Sequence, residues 1–214
     1  MREIDTCWEE AMLSGLDEWV KENAGLPENR VLGRVFEYLG YAALLERYPP
    51  PFILTGPGRT ARIRWLISPV EKANWGVSIP DGIVLRREGS MFFSLVGIVD
   101  YKVANVRNLG KQRAQFAGFD QLIAFFRHQG GIRGRNILRR VLGEEIKRLE
   151  IPENVKFIYV VPRGRTVEGV ATSLYGRDNL EEVSLSFTAQ EVREKIEIFK
   201  RELKVKSGKR IQVT

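Results

Sequence analysis

Two carboxylates and one lysine in the 214-residue chain stand where two neighbouring strands would bring them together. Asp81 follows Pro80 at the start of one apolar run, and Asp100 and Lys102 end the next apolar run. Residues i and i+2 of a strand point to the same face, so Asp100 and Lys102 are expected to project together. Charged groups at the ends of apolar strands are costly to bury without partners, which makes these three side chains candidates for a site.

The chemistry of such a site would be metal-assisted hydrolysis. Two neighbouring carboxylates repel each other unless a cation neutralises them. A hard divalent ion such as Mg²⁺ binds oxygen ligands and keeps several water molecules. Lys102 would then orient or deprotonate a water bound to the ion, or stabilise a developing anion.

Simpler interpretations of the same residues stay open. Asp81 precedes Gly82 and would also serve as an ordinary turn residue. Asp100 and Lys102 would also form a surface ion pair.

The hairpin that joins the two strands must have a particular register. A two-residue turn at 88–89 leaves Asp81 four residues short of Asp100, roughly 13 Å at ~3.3 Å per residue. A wider loop through 90–91, or a bulge at Gly97, would shift Asp81 toward Asp100. We predict one of these irregularities.

Hydrophobic periodicity and breaking residues define the elements around this hairpin. Helices are predicted over 4–23, 27–47, 106–127, 136–149 and 188–203. Strands are predicted over 53–54, 63–67, 82–87, 91–103, 155–161 and 182–187.

This order of elements predicts a single α/β domain over 1–214, with a mixed central sheet flanked by helices. Residues 1–26 form an N-terminal helical extension, and residues 27–162 form the core that would carry the site. Residues 163–214 supply a C-terminal strand, a helix and a basic tail.

The composition excludes several classes of site. The single cysteine, Cys7, excludes an intramolecular disulfide and a thiolate zinc cluster. The single histidine, His128, leaves little scope for His-based metal sites or a Ser-His-Asp triad. No apolar run approaches the ~18 residues of a membrane span, and the first residues lack the layout of a signal peptide. We therefore expect a cytoplasmic protein with no membrane partner.

The net charge of +7 favours a polyanionic partner, with nucleic acid first and an anionic membrane surface second, although a basic surface alone gives the same composition. Segments 127–148 and 195–210 each carry seven Lys or Arg against two Glu. Runs of cations are commonly solvated faces, but beside a phosphodiester site they would contact phosphates. The candidates are Arg133, Arg135, Arg139 and Arg140 at the basic helix and Arg163 and Arg165 in a later loop.

The residues Pro80-Asp81 and Asp100-Tyr101-Lys102, in this order around a hairpin, resemble the PD-(D/E)xK nuclease superfamily. Glu37 stands where that family often has an acidic residue, on the helix before the sheet. The segment Gln112-Arg113-Ala114-Gln115-Phe116 is similar to the QxxxY motif of RecB-type nucleases, with phenylalanine in place of the tyrosine. The resemblance covers roughly residues 31–161.

The resemblance implies a restriction-endonuclease-like core and Mg²⁺ or Mn²⁺ as the cofactor. Asp81, Asp100 and the main-chain carbonyl of Tyr101 would ligate the metal. Glu37 would contact the metal directly or through water.

The resemblance also implies hydrolysis of phosphodiester bonds, in DNA rather than RNA and by an endonuclease rather than an exonuclease. Lys102 would position the attacking water, and Gln112 would contact a metal-bound water or the nucleic-acid backbone. RNA as substrate, a homodimer and a separate helicase or other protein partner stay open.

Two other functions stay open. The chain would be a catalytically inactive nucleic-acid-binding module on a nuclease-like fold if its basic helix and tail act alone. It would be a structural interaction protein if the hairpin carboxylates only pair with local arginines.

Overall fold

The computed structural model describes residues 28–56, 59–67, 73, 76–102, 109–128, 132–163, 178–186, 194 and 197. The predicted helix over 4–23, nearly all of that over 188–203, and Arg165 lie outside these residues. The described elements, in chain order, are α1 Glu28–Arg47, β1 Phe52–Leu54, a 3₁₀ helix Thr60–Arg62, α2 Ile63–Leu66, β2 Gly82–Gly89, β3 Phe92–Tyr101, α3 Leu109–His128, α4 Ile132–Leu142, β4 Arg148–Glu150, β5 Lys156–Pro162 and β6 Leu180–Leu185.

The strands of the described chain form one six-stranded sheet in the order β1-β2-β3-β5-β6, with β4 also paired to β3. The pairs β1–β2 and β2–β3 are antiparallel, whereas β4 and β5 run parallel to β3, and β6 runs parallel to β5. The prediction of an α/β protein with a mixed sheet and flanking helices is therefore confirmed.

Helices cover both faces of the sheet. On one face, the ring of Phe116 from α3 lies 5.4 Å from that of Tyr159 on β5. On the other face, the ring of Phe36 from α1 meets that of Tyr101 edge-on at 6.4 Å. Consecutive side chains at the end of β3 therefore point to different helices. No described helix is long and apolar enough to cross a membrane.

The β2–β3 hairpin has the predicted irregular register. Its turn lies at 90–91, where Met91 adopts a positive φ of 60°, and Gly89 pairs with Phe92. The register shifts near the turn and again in mid-strand, where Val84 pairs with Gly97 but the next residue of β2 pairs with Leu95. The skipped residue on β3 is a bulge, and beyond it Gly82 pairs with Val99. The expected wider loop and the bulge beside Gly97 are both present.

One predicted element is wrong in type, and another is a helix with different bounds. Residues 63–67 form the helical turn α2 and not a strand, because Ile63 and Ile67 are buried on one helical face and joined by a 3.0 Å Ile67 N–H···O=C Ile63 bond. The predicted helix over 136–149 starts earlier, at Ile132, and stops at Leu142. Gly143, with a φ of 79°, ends it, and 148–150 form β4.

Candidate active site

Asp81 is held at the end of β3 by its main chain and its side chain. Its N–H donates to the carbonyl of Val99 at 3.0 Å, and its carbonyl accepts a 3.1 Å bond from the hydroxyl of Thr60. Its Oδ2 accepts a 3.0 Å bond from the N–H of Tyr101. Because Tyr101 adjoins Asp100 in the chain, the hairpin brings the two predicted carboxylates side by side.

The approach to Asp81 is fixed by a close contact with α3. The N–H of Ser78 donates to the carbonyl of Gly118 at 3.0 Å. A Cβ atom on Gly118 would overlap Ser78, so only glycine lets the strand entry lie this close to the helix. Helix α3 also carries Gln115. The position of this helix therefore affects both the approach to Asp81 and the contacts that Gln115 makes.

A glutamine joins Asp100 to Lys102. Nε2 of Gln115 donates to Oδ1 of Asp100 at 2.9 Å, and Oε1 of Gln115 accepts from Nζ of Lys102 at 2.9 Å. Nζ of Lys102 also lies 2.6 Å from Oδ2 of Asp100. The angles at this last contact are not those of a hydrogen bond, so the buried Oδ2 has an ionic neighbour but no hydrogen-bond donor among the described residues.

The surroundings of Asp81 and Asp100 disfavour the ionisation of both carboxyl groups together. Asp100 is only 3 % exposed. Burial, and next the charge of Asp100, raise the pKa of Asp81 to about 8. The Tyr101 N–H and the charge of Lys102 lower the same pKa, and the charge of Glu37 raises it further. A cation at this edge of the sheet would relieve that repulsion.

Helix α1 brings Glu37 to the same region. Glu37 is partly buried, and it acts on Asp81 through its charge. The neighbouring Phe36 packs on the ring of Tyr101, whose hydroxyl is buried without a hydrogen-bond partner among the described residues. Burial raises the pKa of Tyr101, and the charges of Asp81 and Glu37 raise it further.

The donor chemistry fits a hard divalent ion. Mg²⁺ needs only one or two protein carboxylates because it keeps several of its water molecules. Asp81 and Asp100 supply two carboxylates, and a metal at Oδ2 of Asp100 would replace the ammonium of Lys102, which lies 2.6 Å from that oxygen. The described residues include no group of three or more His, Cys, Asp or Glu side chains arranged to hold a metal.

The glutamine found at the site is not the one that the sequence singled out. Gln112 lies on α3, but its side chain is outside the described residues, whereas Gln115 contacts both charged residues of β3. A sequence signal for Gln115 existed, because it is the one polar residue in the helical series with Phe119, Leu122 and Phe126, all fully buried.

The predicted phosphate-contacting arginines of α4 have mixed surroundings. Arg139 lies 3.5 Å from the carboxylate of Glu145, and Arg135 donates to the main-chain carbonyl of Lys147. The exposed members of the group are Arg133, Arg139 and Arg140. Helix α4 contacts the 3₁₀ helix that begins at Thr60, the residue bound to Asp81.

Arg163 lies at the same end of the sheet as the carboxylates. It is exposed, follows β5 directly, and donates its N–H to the carbonyl of Leu185 at 2.8 Å. Since Asp100 pairs with Tyr159, the parallel strand β5 carries Arg163 past the end of β3.

A scan against protein-family models and searches of curated proteins and solved structures found no match to this chain. The interpretation of the site therefore depends on its own geometry.

Proposed function

We propose that this protein is a divalent-metal-dependent nuclease that hydrolyses phosphodiester bonds in DNA, as an endonuclease rather than an exonuclease. The single observation that carries the proposal is the hairpin register, which aligns Asp81 with the end of β3, where Asp100 and Lys102 meet. The site, on a mixed sheet between α1 and α3, also supports the restriction-endonuclease-like core implied by the sequence resemblance.

Each side chain has a defined task in this proposal. Asp81 and Asp100 would hold Mg²⁺ or Mn²⁺, with the Tyr101 carbonyl as a further ligand and Glu37 nearby. The ion would supply Lewis-acid polarisation of a phosphoryl oxygen and a lowered pKa of the attacking water. Lys102 would hold that water or the developing negative charge, since its ammonium is already fixed in place by Gln115.

The test is a cleavage assay on supercoiled plasmid, linear duplex, single-stranded DNA and RNA, each with Mg²⁺, Mn²⁺ or EDTA. Cleavage of the circular plasmid would identify an endonuclease. We expect Lys102→Ala to lower the rate by at least about 100-fold, the contribution typical of a positioned proton-transfer group.

Lys156→Ala is the matched control. Nζ of Lys156 lies 2.7 Å from a carboxylate oxygen of Glu181, much as Lys102 lies 2.6 Å from Asp100, but Lys156 is the first residue of β5, whereas the site lies toward the other end of that strand. Equal activity of both variants, or cleavage that persists in EDTA, would contradict the proposal.

A second function is favoured by one observation. The ammonium of Lys102 lies against Oδ2 of Asp100, the oxygen that a metal would otherwise use. A catalytically inactive nucleic-acid-binding module would keep this ion pair permanently. DNA binding that is equal with and without Mg²⁺, together with no cleavage of any of the four substrates, would select this alternative.

A further inference from the structure

The exposed residue Arg59 is linked through its neighbour Thr60 to the main chain of Asp81. The N–H of Arg59 donates to the carbonyl of Gly56 at 3.1 Å, which holds the backbone of Arg59 in place. The next residue, Thr60, is only 2 % exposed, and its hydroxyl donates to the carbonyl of Asp81 at 3.1 Å. Arg59 is therefore the chain neighbour of Thr60, which binds the main chain of Asp81, a predicted metal ligand.

Gly56 lies between the Arg59 side chain and α1. A Cβ atom on Gly56 would lie 3.8 Å from Cγ of Arg59 and 3.9 Å from the ring of Tyr41. Tyr41 stands one helical turn after Glu37 on α1. Arg59 and the part of α1 that carries Glu37 are therefore both close to Gly56.

The guanidinium of Arg59 differs from those of four arginines of the described chain that form ion pairs. Arg47, Arg86, Arg87 and Arg139 each pair with a glutamate. Arg59 is exposed, and within the described residues its guanidinium has no ion pair or hydrogen bond. Its charge is therefore available to a ligand.

A nucleic-acid backbone needs such a cation here. Phosphates that approach Asp81 and Asp100 meet like charge, and Lys102 is already paired with Asp100. Arginine binds a phosphate through two parallel hydrogen bonds, so it positions a backbone more precisely than lysine does. The same segment also carries Arg62 and Arg64.

We infer that Arg59 binds a backbone phosphate of the nucleic acid next to the bond that is cleaved. This inference rests on the proposed nuclease function and assigns to Arg59 the task of positioning the substrate. Arg59 would act on substrate affinity and not on the chemical step.

The experiment measures binding of a fluorescein-labelled DNA duplex by anisotropy in EDTA, across a salt titration, and KM and kcat for cleavage with Mg²⁺. Arg59→Ala is expected to weaken binding about tenfold and to reduce the slope of log K against log salt by about 0.9. KM rises by a similar factor and kcat is unchanged. Arg59→Lys recovers the salt slope but only part of the affinity.

Arg86→Ala is the control, because it removes the same charge from an exposed arginine that is paired with Glu88 on the hairpin. If Arg59→Ala and Arg86→Ala bind DNA with equal affinity while the wild type binds and cleaves it, the role of Arg59 is overturned and the proposed nuclease function stands. A wild type that neither binds nor cleaves any nucleic acid would overturn the proposed function together with it. The melting temperature of Arg59→Ala should equal that of the wild type, since the side chain is exposed.

Discussion

Gln115 is the hydrogen-bond donor to Asp100: its Nε2 lies 2.9 Å from Oδ1 of that carboxylate. The opposite end of the same amide accepts from Lys102. One amide side chain therefore fixes both the carboxylate that would hold the metal and the ammonium that would act on the water.

Replacing Gln115 tests this positioning role. Gln115→Ala is expected to lower the cleavage rate by about 10- to 100-fold, as loss of groups that orient metal ligands typically does. Gln121→Ala is the matched control, because Gln121 is an exposed residue of the same helix. The apparent Mg²⁺ affinity, taken from the rate against metal concentration, should also fall in Gln115→Ala. Identical rates and metal affinities for the two variants would contradict the role.

The repulsion between Asp81 and Asp100 predicts an unusual stability effect. Asp81→Asn replaces a carboxyl whose ionisation is disfavoured by burial and by Asp100, and it keeps an oxygen that can accept the Tyr101 N–H bond. Without metal, the variant should be more stable by about 1 kcal/mol, which corresponds to a Tm increase of roughly 2–4 °C. Thermal unfolding with and without Mg²⁺ checks this, because Mg²⁺ should raise the Tm of the wild type and not that of the variant.

Asp178→Asn controls for the loss of a carboxylate in general, since Asp178 lies in an exposed turn before β6. A metal-free Tm that falls in Asp81→Asn, with the Mg²⁺ response retained, would show that Asp81 is not part of a metal site.

Part of the candidate site could be predicted from the sequence because it depends on short-range geometry. The i, i+2 rule places Asp100 and Lys102 together, and the length of the hairpin requires an irregular register to reach Asp81. The choice of Gln115 depends on the rotation of α3 against the sheet. Several buried phenylalanines set that rotation through distant contacts, which spacing alone does not specify.

The differences between the predicted and observed elements also have physical causes. Alternating apolar residues over 63–67 suit a strand, but burial of Ile63 and Ile67 on one side favours a helical turn. Gly143 ends α4 through a positive φ, and a single glycine in an otherwise helical pattern does not reveal that conformation. In both places tertiary packing, and not local preference, determines the outcome.

The buried hydroxyl of Tyr101 predicts a stabilising substitution. The residue is 8 % exposed, and its hydroxyl has no hydrogen-bond partner among the described residues. Tyr101→Phe removes an unsatisfied polar group and keeps the edge contact with Phe36, so unfolding in urea should show a gain of about 1 kcal/mol. Tyr159→Phe, at a fully buried tyrosine on the other face of the sheet, gives the comparison. A loss of stability in Tyr101→Phe would mean that a water or a ligand binds this hydroxyl.

The network around Glu181 predicts a pH dependence of stability away from the candidate site. Burial acts to raise the pKa of Glu181, but bonds from Lys156, Arg47 and Tyr48 outweigh it, so the net pKa is lowered. A carboxylate with a lowered folded-state pKa adds stability above its unfolded pKa of about 4.3, and this stability is lost as the pH falls through the folded value. Glu181→Gln should therefore lower the Tm at pH 7, and the difference from wild type should shrink as the pH falls below about 4.

Thermal unfolding of wild type and Glu181→Gln across this pH range measures the effect, with the exposed Glu153→Gln as control. Glu181 joins the C-terminal end of α1 to β5 and β6, so the bonds weakened by its protonation are those that attach this helix end to the sheet. A Tm difference that is constant from pH 7 to pH 3 would show that the ion pairs contribute nothing to stability and that the effect of the substitution is steric.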